Sequence, residues 1–227
     1  LGFDSTVTVV SVMGAGSRLD LSSVSTLRVG HGSWQLGYQI FEAKDGGEID
    51  FSSVTVMENA ARSDSCVWFR TGTGGKILFP ALTELKSQRS GATRFEDETG
   101  SPFLFPSLTT VAQGVFDVEA GEQRSFPGVT SLAGTTITVK SGAVLTLTNL
   151  TSATGTLTVQ EGGVLNAPNL TSLTYATVTV DGTGKLNTGG LSNIDNTRFF
   201  ISGGAVFDEV VATTYDVTGI RGTPITI

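Results

Sequence analysis

Apolar residues recur along this chain in rows set by a long repeat, and no segment shows the short spacing of an amphipathic helix. The segment Phe79-Pro80-Ala81-Leu82-Thr83-Glu84-Leu85 returns as Phe105-Pro106-Ser107-Leu108-Thr109-Thr110-Val111 and as Phe126-Pro127-Gly128-Val129-Thr130-Ser131-Leu132. Aligned on its middle apolar residue, the repeat falls at Val24, Val54, Leu82, Leu108, Val129, Leu150, Leu170, Leu191 and Val210, with spacings of 30, 28, 26, 21, 21, 20, 21 and 19. One row lies three residues earlier (Leu21, Phe51, Phe79, Phe105 and onward), and another lies three residues later (Leu27, Met57, Leu85, Val111 and onward). A fourth row, Phe41, Phe69, Phe95, Val118, Val139, Val159, Val180 and Ile201, sits in stretches such as Thr136-Ile137-Thr138-Val139, where β-branched residues alternate with period two.

Gly-rich turns follow the fourth row, as in Asp45-Gly46-Gly47 and Glu161-Gly162-Gly163, and the prolines at 80, 106, 127 and 168 mark a second corner, because proline damages a central ladder. Strands repeated at one period and all running the same way predict a β-solenoid in which each coil covers the apolar face of its neighbour. The pattern predicts about nine coils, or a rod of roughly 43 Å at about 4.8 Å per rung. A leucine-rich repeat shares the Leu-x-x-Leu spacing, but no helical segment accompanies each repeat here.

On these rows the chain resembles the right-handed parallel β-helix, the pectate-lyase-like group of solenoids. The resemblance implies an all-β fold with a single β-helix domain: an entry or cap over 1–18, coils over 19–217 and an exit over 218–227. It carries no catalytic motif with it, since the clustered Asp residues and the catalytic His of pectate lyases and polygalacturonases have no counterpart in this sequence. At fold level the chain is similar to β-helix carbohydrate-binding modules.

The coils shorten along the chain, and the extra residues of the first three flank the fourth-row strand. Residues 42 to 98 hold 10 of the 21 acids and 7 of the 14 bases. If Phe69, Phe95, Val118 and Val139 point inward, then Trp68 and Arg70, Arg94 and Glu96, Asp117 and Glu119, and Lys140 point outward. An exposed indole beside guanidiniums and carboxylates suits stacking on a sugar ring and hydrogen bonding to its hydroxyls, with Tyr38 and Trp34 extending the platform. The expected function is therefore a non-catalytic polysaccharide-binding module, the glycan lying across the wide N-terminal coils. The same charges also read as cross-rung ion pairs, Glu42 with Arg70 and Glu96, and Glu119 with Lys140, which suits a structural or adhesive extracellular stalk. A polysaccharide lyase or glycoside hydrolase on the same fold, with Glu96 and Asp117 as its carboxylates, is the third reading.

Composition narrows the choice. A net charge of -7 with a pI near 4.7 offers no basic field for nucleic acid, and one Cys (Cys66) with one His (His31) excludes most zinc chemistry. No apolar run is long enough to insert in a membrane. No cofactor is expected, with calcium at Glu96-Asp97-Glu98, Asp117 and Glu119 as the one metal considered. The first residues, Leu1-Gly2-Phe3, and the poverty in Cys and His lead to the expectation of a module of a longer, secreted or cell-surface protein, with polysaccharide and neighbouring domains of the same polypeptide as its partners.

Overall fold

The fourth predicted row and most of the third lie in paired strands, and the middle row lies in the turns between strands. In the computed structural model, which describes residues 6–30, 37–59, 65–87, 92–99 and 103–220, the described chain contains strands and turns and no helix, and every strand pairing is parallel. The chain divides into two compact units, Leu1–Phe116 and Asp117–Ile227. The architecture within each is that of a parallel β-solenoid.

The first unit repeats three strands per coil. β1 (Val7–Met13), β2 (Arg18–Asp20) and β3 (Thr26–Val29) make the first rung; β4 (Gly37–Lys44), β5 (Glu48–Asp50) and β6 (Val56–Asn59) the second. β7 (Ser65–Thr71), β8 (Lys76–Leu78) and β9 (Glu84–Ser87) follow, then β10 (Ala92–Asp97), β11 (Thr110–Ala112) and the start of β12 (Val115–Val118). Register sets Phe41 beside Phe69 and Phe69 beside Phe95. Their rings stack at 5.0 and 5.2 Å, and the Phe51, Phe79 and Phe105 rings stack at 5.1 and 6.0 Å. Edge contacts join the two columns, Phe69 to Phe79 at 5.3 Å and Phe95 to Phe105 at 4.7 Å, so the core of this unit is an aromatic double stack.

The second unit builds the same coil from smaller side chains. β13 (Gln123–Ser125), β15 (Val144–Thr146), β17 (Val164–Ala167) and β19 (Lys185–Thr188) form one sheet. β14 (Ser131–Val139), β16 (Ser152–Val159), β18 (Ser172–Asp181) and β20 (Arg198–Ser202) form another, over fully buried Val139, Val159, Val180, Leu150 and Leu170. In these short coils the third-row and fourth-row strands merge into one bent strand, because only a few residues separate Leu132 from Val139. The bend is tight at Gly155, whose φ is +106° and where a Cβ would stand 2.4 Å from the carbonyl oxygen of Thr135 on the neighbouring rung. Only glycine fits that approach.

The threonine inside the repeated segment closes a corner. The hydroxyl of Thr83 donates to the carbonyl of Thr55 at 3.0 Å, that of Thr109 to Thr83 at 3.1 Å and, in the second unit, that of Thr151 to Thr130 at 3.1 Å. A polar residue thus recurs between two apolar rows because it satisfies a turn carbonyl one rung away.

Candidate functional site

Alternation along β7 and β10 sends Phe69 and Phe95 inward and leaves Trp68, Arg70, Arg94 and Glu96 on the outer face. Register brings Trp68 beside Arg94 and Arg70 between Glu42 and Glu96, as the sequence implies. The ring of Tyr38, on β4, lies 5.8 Å from that of Trp68 at an interplanar angle of 53°. Trp34 and His31 lie outside the described residues, as does the side chain of Cys66. Much of the extra length of the wide coils, in 31–36, 60–64, 88–91 and 100–102, lies there too.

Trp68 differs from the exposed platform expected of it, since it is half-buried. The guanidinium carbon of Arg70 stands 4.4 Å from the indole centre and that of Arg94 stands 5.4 Å away, both within cation–π range. Two donors in this cluster are buried and meet no acceptor among the described residues, the indole Nε1 of Trp68 and the Nε of Arg70.

The charges pair differently from the simple alternation. Arg70 turns from its register mates Glu42 and Glu96 and donates to Glu98 at 2.9 Å. Lys44 bridges Glu98 at 3.1 Å and Glu42 at 3.5 Å, and the Ser11 hydroxyl donates to Glu42 at 2.9 Å. Because Lys44 and Ser11 already serve Glu42, Arg70 is drawn to the turn that carries Glu98. Lys44, with Arg70 behind it, holds the Glu98 carboxyl below the ordinary carboxylate range despite the opposing effect of desolvation. Glu96 makes no ion pair among the described residues. Glu98 was considered only as a calcium ligand and Lys44 not at all, because both lie at or just past strand ends, where alternation no longer dictates direction; the signal for their pairing was the i, i+2 spacing of Glu42 with Lys44 and of Glu96 with Glu98.

Asp117, Glu119 and Lys140 belong to the second unit. There the pair expected from the sequence forms: Lys140 Nζ donates to both carboxylate oxygens of Glu119, at 2.7 and 2.8 Å. Of the carboxylates considered for calcium, Glu96 and Glu98 lie in the first unit and Asp117 and Glu119 in the second. Among the described residues no group of three His, Cys, Asp or Glu side chains is placed to hold a metal ion.

A largely apolar groove of about 650 Å³ lies past the turn that follows β7, lined by Gly72, Ile77, Leu78, Phe103 and Leu104 among others. None of the residues predicted to bind ligand lines it. Among the described residues no helix is long and apolar enough to cross a membrane. Compared with known protein families, with curated proteins and with solved structures, the chain finds no match. The class in hand is therefore that of the fold alone, an all-β protein of parallel, solenoid-like coils.

Proposed function

We propose that this chain is a non-catalytic polysaccharide-binding module whose contact face centres on Trp68. The observation that carries the reading is the pairing of Tyr38 and Trp68, 5.8 Å apart, with Arg70, Arg94 and Glu96, whose carboxylate makes no ion pair among the described residues, on neighbouring rungs. Aromatic surface, fixed cations and a free acceptor together match the alternating apolar faces and hydroxyls of a glycan. In this reading the coils are turns of a right-handed β-helix, and the protein works outside the cell, where polysaccharide is met.

One observation favours a second reading, a structural or adhesive stalk. Arg70 and Lys44 are engaged in ion pairs in the first unit and Lys140 in the second, which ties rungs together within each unit without any ligand.

Affinity electrophoresis through a panel of soluble plant and bacterial polysaccharides, wild type beside Trp68→Ala, separates the two. Retardation by a glycan that Trp68→Ala abolishes supports the binding module, and unretarded migration on every glycan supports the stalk. Release of reducing ends or of unsaturated products from a retarding glycan identifies an enzyme instead.

A further inference from the structure

The second unit carries an outward face of a different kind from the one around Trp68. Parallel register sets Thr136, Thr156 and Thr177 side by side on three rungs, and Thr138, Thr158 and Thr179 side by side two residues further along. All six are half-buried, and none of their hydroxyls makes a hydrogen bond among the described residues. β14 and β16 contain no charged residue, and β18 has one, Asp181, at its last position. This face is therefore polar and uncharged, where the face of the first unit is ionic.

Two aromatic rings border the threonines. Phe200, on β20, stands in register with Thr179; its neighbour Phe199 packs on Phe207 and Tyr215 at 5.7 and 6.5 Å, which leaves Phe200 outward and 55% exposed. Tyr175, on β18, is 69% exposed, and its backbone is held at a φ of +51°. The same corner is formed by Gly134 at +62° and Gly155 at +106° on the two preceding rungs, and by Asn196 at +57° on the next. Glycine and asparagine enter the left-handed region readily, but a residue as bulky as tyrosine is strained there. β18 also takes one residue more than β16 to turn this corner, since Ala153 pairs with Leu173 and Gly155 with Ala176, and such a bulge re-aims a side chain. Neither the strain nor the bulge buries the ring, which meets Gly219 at one edge and solvent over most of its surface. Strain retained at an exposed ring points to a use outside the coil.

We propose that this face is a second ligand site, for a neutral glycan that stacks a sugar ring on Tyr175 and hydrogen-bonds the threonine hydroxyls. A sugar presents an apolar C–H face and a rim of hydroxyls. Tyr175 and Phe200 supply flat apolar surface for the first, and the threonine hydroxyls, each both donor and acceptor, supply partners for the second. Rungs about 4.8 Å apart repeat those hydroxyls at a regular interval, which suits a polymer that is itself a repeat. Charge sets the class of glycan. The cations Lys140 and Arg198 stand at the borders, Lys140 already paired with Glu119, and the three threonine rungs between them offer none to an acidic polysaccharide.

The site lies wholly within the second unit, so its test is run in a Trp68→Ala background, apart from the face proposed above. Affinity electrophoresis of the 227-residue chain uses hydroxyethylcellulose, galactomannan and dextran, with polygalacturonate as the acidic control. At least one of the neutral glycans is expected to retard Trp68→Ala more than polygalacturonate does. Adding Tyr175→Asn is expected to raise the dissociation constant for that glycan at least about tenfold, and adding Thr156→Val with Thr177→Val instead to raise it about threefold or more. Asparagine suits the left-handed backbone, so Tyr175→Asn is expected to melt at or above the temperature of its parent by circular dichroism. Unretarded migration of Trp68→Ala on all the neutral glycans, stronger retardation by polygalacturonate, indifference to Tyr175→Asn, or a lower melting temperature in that variant would each overturn the proposal. Retardation that survives Trp68→Ala and vanishes with Tyr175→Asn upholds this face and counts against the first; retardation lost with Trp68→Ala alone does the reverse.

Discussion

The guanidinium of Arg70 stands 4.4 Å from the centre of the Trp68 ring while its Nη2 donates to Glu98 at 2.9 Å, so one side chain joins the aromatic pair to the ion-pair network. Arg70 is thus both a lid on the indole and a tie between neighbouring rungs.

Arg70→Ala is expected to uncover the indole. In a Trp34→Phe background, where Trp68 is the only tryptophan, acrylamide quenching should rise and emission should shift to the red. Loss of the cation–π contact costs about 0.5–1 kcal/mol of stability, read from urea midpoints. Unchanged quenching would show that Arg70 does not cover the ring in solution.

Acid should loosen the first unit through Asp50. Desolvation pushes its carboxyl up, but the hydroxyl and amide of Ser52 together with Arg18 outweigh that effect and hold it below the ordinary aspartate value. A carboxyl depressed in the folded state stabilises above its unfolded pKa, about 3.9, and that stability is lost as pH falls through the lower folded value. Glu58 and Glu98 are depressed in the same direction and add to the effect. Urea midpoints are therefore expected to hold steady above about pH 5 and to fall below about pH 4. Asp50→Asn should lower the plateau and flatten the fall; an unchanged pH profile would remove Asp50 from the account.

Phe79 meets the rings of Phe51, Phe69, Phe95 and Phe105, at 5.1, 5.3, 6.2 and 6.0 Å, and is 1% exposed. Phe79→Ala is expected to cost about 3–5 kcal/mol, and Phe79→Leu clearly less, because leucine refills part of the cavity. Equilibrium unfolding followed by circular dichroism measures both.

Gly75 and Gly16 test what the turns demand. At Gly75 a Cβ would stand 2.0 Å from the carbonyl oxygen of Ala43, which is backbone on the neighbouring rung and cannot yield. At Gly16 the φ of +82° asks for glycine but nothing lies within 4 Å. Gly16→Ala is expected to cost about 1–2 kcal/mol from backbone strain alone, and Gly75→Ala substantially more, with a melting temperature to match. Equal losses at the two sites would mean that the rungs separate more easily than their packing implies.

The sequence was legible wherever one residue type had one physical task per coil. The Phe41, Phe69, Phe95 row and the Phe51, Phe79, Phe105 row stack as their spacing requires, because an inward aromatic can be buried only against its counterpart one rung away. The Lys140 and Glu119 pair was legible for the same reason. The partner of Arg70 was not. A long cation at a strand end samples several carboxylates, and the choice of Glu98 over Glu42 or Glu96 depends on where the following turn carries the chain and on Lys44 competing for the same acids.

By itself, then, the sequence determined the parallel all-β coil, its inward rows and the outward face that bears Trp68, because period-two alternation and a fixed repeat leave no other way to bury those residues. Only the tertiary structure decided that Trp68 is half-covered by arginines and that the short coils merge two strands at Gly155. Those outcomes depend on how far neighbouring rungs stand apart and how turns direct side chains, distances that no single coil encodes.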